Sequence, residues 1–110
     1  MNKWSAWKPM PAPTMCRAIE APDGPGVYQI KSKLNDELIL FGISVKCRKR
    51  MKSLYPAPYG TGKRNNAAKR LHILENWENL VYRTIVTETR PAAKAIEDTL
   101  KAKNNHRFNT

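Results

Sequence analysis

Residues Glu37 to Ile43 form an almost continuously apolar run, and no other stretch restricts the possible folds of this chain as much. A run of that length is far too short to span a bilayer, which takes about 20 residues as a helix. It has the pattern of a strand buried on both faces at the centre of a sheet. Both faces then need covering. With 110 residues there is room for one domain, burying about 65% of the surface of the unfolded chain, so the covering layers come from the chain's own helices.

Breakers and periodicity place the other elements. Trp4, Trp7, Pro9, Pro11 and Pro13 give residues 1 to 13 the composition of an irregular arm, with two tryptophans to cover part of the core. Thr14 to Glu20 suits a short helix, so residues 1–20 read as an arm and helix preceding a domain over 21–110. The cluster from Ala21 to Gly26 is a turn. Val27 to Lys31 alternates, with Tyr28 and Ile30 on one face and Val27 and Gln29 on the other, and Asn35-Asp36 turns this strand into the apolar one. Ser44 suits the cap of a helix that buries Cys47, Met51 and Leu54. A second helix is spaced to bury Ala67, Leu71 and Leu74. A third strand runs from Leu80 to Val86, with Leu80, Tyr82 and Val86 inward, and a last helix has Thr89 as cap, Pro91 in its first turn, and Ala92, Ile96 and Leu100 buried. The expected fold is α+β, a small three-stranded antiparallel sheet flanked by helices.

Charge points to the partner. Twenty Lys and Arg against 9 Asp and Glu give a formal net charge of +11, which favours a polyanion, with nucleic acid the first candidate. Cys16 and Cys47 belong to no Cys-x-x-Cys pair, so neither a zinc site nor a disulfide framework is indicated. Lys3 is followed by no apolar stretch, and a reducing cytoplasm without membrane association is the expected setting.

The order of motifs is more specific than the charge. Gly26-Val27-Tyr28 is followed on the next strand by Leu40-Phe41-Gly42. The segment Gly42-Ile43-Ser44 then leads to Arg48-Lys49-Arg50-Met51, Glu97 lies on the last helix, and His106-Arg107-Phe108-Asn109 ends the run. From about Asp23 to Asn109 this resembles the GIY-YIG nuclease superfamily. Gly26-Val27-Tyr28 stands at the family's Gly-Ile-Tyr and Leu40-Phe41-Gly42 at its Tyr-Ile-Gly. Arg50, rather than Arg48, is in register with the catalytic arginine, Glu97 matches the metal-binding glutamate, and Asn109 matches the terminal asparagine. The resemblance implies a DNA endonuclease that hydrolyses phosphodiesters with one divalent cation, Mg²⁺ or Mn²⁺.

The chemistry is consistent with that reading. A single carboxylate, Glu97, can hold one hard cation whose other ligands are water and phosphate. Arg50 offers a permanent, forked charge to the scissile phosphate. Tyr28 is the candidate base, although a phenol needs a neighbouring cation or metal-bound water to deprotonate at neutral pH. For Asn109 the resemblance implies an orienting or closing role. Lys46, Arg48, Lys49, Lys52, Lys63, Arg64 and Lys69 are expected to hold the phosphate backbone, with Tyr55 and Tyr59 interleaved in a basic loop suited to nucleic-acid contact. A homodimer or a protein partner that confers specificity is compatible with this reading.

The sequence also departs from the family. Leu40 replaces the second tyrosine, Ile43 follows the glycine where lysine is frequent, and Leu54 stands where some members carry histidine. A DNA-binding module of the same fold, impaired in catalysis, therefore remains the alternative, with an RNA-binding basic protein third on charge alone. Gly60-Thr61-Gly62-Lys63 lacks the first glycine and the following Ser or Thr of a phosphate-binding loop. His72 and His106 have no partner at metal spacing and read as surface or helix-end residues.

Overall fold

In a computed structural model, which describes residues 3–55 and 67–108, the chain is built around two central strands. These are β2 (Gly26–Ser32) and β4 (Leu80–Val86), paired antiparallel along their whole length from Gly26↔Val86 to Ser32↔Leu80. They pack closely because residue 26 lacks a side chain: a Cβ there would meet the Ile85 carbonyl oxygen at 2.8 Å. On the other side of β2 lies β3 (Leu38–Ser44), reached through a turn in which Asp36 takes φ 57° and Asn35 Oδ1 accepts the Glu37 N–H at 3.0 Å.

Among the described residues the sheet has four strands rather than three, with β4 and β2 inside and β3 at one edge. The additional one, β1 (Lys8–Pro9), is only two residues long and pairs with β4. Its proline is tolerated because β1 is an edge strand, where an N–H is not needed for a further ladder. The arm is tied to β4 beyond this pairing. Ser5 N–H donates to the Thr84 carbonyl at 2.8 Å, and Met10 N–H to that of Leu80 at 3.0 Å. Trp4 and Trp7 flank the Arg83 guanidinium, with ring centroids 4.4 and 4.6 Å away.

β3 carries the apolar run as expected, with Ile39, Leu40 and Phe41 buried, but it lies at the edge of the sheet and not at its centre. What hides its outer side is the end of the chain. Arg107 N–H donates to the Leu38 carbonyl at 2.9 Å, Phe108 N–H to that of Ile39 at 2.8 Å, and Leu40 forms a parallel bridge with Phe108.

Helices cover both faces. On one, Tyr28, Ile30, Leu40, Leu80 and Tyr82 pack with Met51 of α1 (Cys47–Lys52), Ile73 of α2 (Ala67–Asn76), and Met10, Cys16 and Ile19 from the arm and a 3₁₀ turn at Pro13–Ala18. On the other, Val27, Phe41 and Ile85 meet Ala93 and Leu100 of α3 (Arg90–Lys103). Each Val, Leu, Ile, Phe or Met among these contributes about 1.5–3 kcal/mol on full burial. Cys16 and Cys47 are both buried in the core, and they are not joined in a disulfide. No helix of the described residues is long and apolar enough to cross a membrane.

Several local expectations change. The α1 cap is Lys46, without a side-chain bond, while Ser44 Oγ accepts the Lys46 N–H in the preceding turn. α2 buries Ile73 and leaves Leu71 exposed, and α3 buries Ala93 rather than Ala92. Val86, at the end of β4, is exposed. The Thr89 cap is as expected, its Oγ1 accepting the Ala92 N–H at 3.2 Å.

His106, expected at the surface, is buried against Phe41, with ring centroids 4.6 Å apart. Its protonation state follows from its partners. Arg83 Nε can only donate, and it donates to Gln29 Oε1 at 2.8 Å, so the Gln29 amide nitrogen faces His106 Nε2 at 3.0 Å. That nitrogen must therefore accept, and the ring is neutral. Burial, reinforced by the charge of Lys103, holds its proton affinity below the usual histidine range. The stability this contributes is present above the unfolded-chain pKa and is lost as pH falls through the lower folded-state value. Thermal melts between about pH 7 and pH 5 should show a falling Tm, and His106→Gln should flatten that dependence; equal slopes in both proteins would refute the assignment.

Candidate functional site

The pairing of β2 with β3 sets the site. Tyr28 lies opposite Gly42, and its ring occupies the space a side chain at position 42 would take, with Cζ only 2.6 Å from where that Cβ would stand. The phenol lines a cleft of about 190 Å³ at the β3 edge of the sheet, where the two helical layers come within reach of each other. From α1 comes Arg50, from its end Ser53, from α2 Lys69 and Arg70, and from α3 Arg90 and Glu97. Among the described residues, four cationic side chains thus share the cleft with one carboxylate.

The surroundings tune Tyr28 and Lys69 in opposite directions. Tyr28 is only 4% exposed, and burial pushes its phenol above the usual range, against the charge and hydrogen bond of Arg50; the Glu97 carboxylate adds to the upward push. The free protein therefore keeps Tyr28 protonated more firmly than an exposed tyrosine, which weakens it as a base. Lys69 is shifted the other way, held below the usual lysine range by burial and by the charge of Arg50. Glu97 is 16% exposed, and its Oε1 lies 3.4 Å from Lys94 Nζ, which is also 2.6 Å from Asp98. Glu97 thus forms a salt bridge with Lys94, and it shares that lysine with Asp98.

Tyr28, Arg50 and Glu97 are thus brought together from β2, α1 and α3, and Lys69 joins them. Lys46, Arg48, Lys49 and Lys52 instead surround a second depression beside Asp23. There Arg48 donates to the Arg17 carbonyl at 3.0 Å and lies 3.8 Å from the Asp23 carboxylate. Tyr55 is no surface contact: it is fully buried and donates to the Pro11 carbonyl at 2.7 Å, so it belongs to the core. Asn109, Tyr59, Lys63 and Arg64 lie outside the described residues.

Arg70 and Arg90 were not anticipated. For Arg90 a signal existed, since it precedes Glu97 by seven residues and so shares its side of α3. Leu40, at the place of the second motif tyrosine, is buried at the cleft wall, so this position supplies no hydroxyl. No protein-family model, curated protein or solved structure matches the chain.

Because Tyr28 crosses Gly42 so closely, Gly42→Ala should force the ring to move and cost about 1–3 kcal/mol by overpacking. Chemical denaturation measures the loss. A wild-type midpoint in the variant would show that the ring does not depend on the missing side chain.

Proposed function

We propose that the cleft binds and hydrolyses a phosphodiester of DNA, making the protein a metal-dependent endonuclease of the GIY-YIG type. The observation that carries this reading is the convergence of Tyr28, Arg50 and Glu97, distant in sequence, on one cationic cleft. Arg50 and its cationic neighbours suit the bound phosphate and the charge that builds on it during displacement. Tyr28 supplies a hydroxyl that exchanges a proton with a reacting oxygen, held in place by the packing of its ring across Gly42 and with the charge of Arg50 nearby.

The donor set fits a single hard cation. Among the described residues no group of three or more His, Cys, Asp and Glu gathers to enclose a metal, whereas Glu97 presents one carboxylate toward the cleft. That suits Mg²⁺ or Mn²⁺, which keep several waters and take the remaining ligands from phosphate. Bound there by Glu97, the ion would polarise the phosphate and bound water. Outside the cleft, Lys46 at the α1 cap and Lys49 and Lys52 on α1 extend the positive surface for the DNA backbone. A cytoplasmic location and a homodimer or specificity partner accompany this reading.

A binding module without catalysis is the second reading, favoured by buried Leu40. Supercoiled plasmid at low salt separates the two. With Mg²⁺ or Mn²⁺ the protein should nick it, chelator should stop the reaction, and Glu97→Ala should lower the rate by about 100-fold or more. Binding by that variant should be kept or tightened, because a carboxylate beside phosphate repels it in the absence of metal. Plasmid shifted but uncut under all these conditions would instead support the binding module.

A further inference from the structure

Hydrolysis of a DNA diester moves two protons, one off the attacking water and one onto the departing oxygen. Among the described residues of the cleft, three side chains can exchange a proton: Tyr28, Lys69 and Glu97; the arginines hold theirs permanently. If Glu97 serves the cation, the other two remain. They come from different elements, β2 and α2, and share the cleft with Arg50, whose charge acts on both. A phosphate held on Arg50 would therefore have both groups beside it.

We propose that Lys69 and Tyr28 are the acid–base pair of this cleft, with the Lys69 amine taking the proton of the attacking water and the Tyr28 phenol giving one to the departing oxygen. This assignment rests on the nuclease reading of the same cleft. The water oxygen bonds to phosphorus as its proton passes to the Lys69 nitrogen. The bond from phosphorus to the leaving oxygen breaks, its electron pair stays on that oxygen, and the phenolic proton follows. Ammonium and phenolate then return to amine and phenol by exchange with solvent, so no other reactant is consumed.

The roles run this way because the surroundings push the two groups apart. The buried phenol resists ionisation, while burial and the charge of Arg50 hold the proton of Lys69 less firmly than in an ordinary lysine. The other charges at the cleft are Arg70 beside Lys69 on α2 and Arg90 and Glu97 on α3. Of the charged neighbours it is Arg50 that disfavours a further positive charge at Lys69. The amine is available above the folded-state pKa of Lys69 and is lost as pH falls through it.

Two substrates and two variants test the assignment, with Mg²⁺ present throughout. One substrate is plasmid DNA and the other a p-nitrophenyl ester of thymidine 5′-phosphate, whose nitrophenolate departs without needing a proton. Lys69→Arg keeps the charge but cannot titrate; it should lose about 10²–10⁴-fold on both substrates and lose the acidic limb of the pH–rate profile. Tyr28→Phe should lose a similar factor on DNA and hydrolyse the nitrophenyl ester within a few-fold of wild type. Lys69→Gln, checked by circular dichroism for an intact fold, should match Lys69→Arg.

If Tyr28→Phe loses both substrates while Lys69→Arg keeps the nitrophenyl ester, the roles are reversed and the proposal fails. If Lys69→Arg keeps both, Lys69 only binds phosphate, which overturns it too. A wild-type protein inert toward both substrates would remove the nuclease reading, and this assignment with it, an outcome distinct from failure in an active enzyme.

Discussion

Tyr28 lies across Gly42, and most of what is distinctive in the structure depends on that crossing. The absent side chain at position 42 lets a tyrosine in the central strand reach the edge of the sheet without leaving the core. A hydroxyl thereby arrives in a cleft between two layers of helices, held by packing rather than by a loop. Arg50 reaches it from the short helix after β3, so the connection that ends the strand also supplies the cation beside the phenol.

The two-faced sheet explains why these groups meet at an edge. α3 covers the face of Val27 and Phe41, and α1 and α2 cover the face of Tyr28 and Leu40. Side chains from opposite layers can approach one another only beyond the last strand. β3 is that strand, and Glu97 and Arg90 of α3 share a cleft there with Arg50 and Lys69 of α1 and α2. Confinement between the layers also gives the cleft its electrostatic character, since partial burial raises the cost of charging both Tyr28 and Lys69.

The strands and the grouping of Tyr28, Arg50 and Glu97 were legible because they follow from alternation, breakers and ordered motif spacing. β1 was not, since two residues including Pro9 carry no period and the pairing depends on β4 far along the chain. The central place given to β3 failed for a related reason: a strand shielded by a C-terminal segment has the same apolar pattern as one between two neighbours. On α2, Leu71, Ile73 and Leu74 offer competing apolar faces, and packing decided for Ile73. Tyr55 looked like a loop aromatic among basic residues, but its hydroxyl finds the Pro11 carbonyl in an arm whose path the sequence leaves undefined. His106 gave no sign of burial, because the partner that makes it tolerable, Gln29, is itself fixed by Arg83 from a third element.

The segments flanking the sheet have a consequence for association. On one side the last strand is two residues long and includes a proline; on the other, Arg107 and Phe108 already bond to the backbone of β3. Edges finished in this way offer little template for a strand from another molecule, the usual route to runaway cross-chain pairing. A chain carrying so apolar a strand is thereby protected from the kind of self-assembly its sequence would otherwise invite.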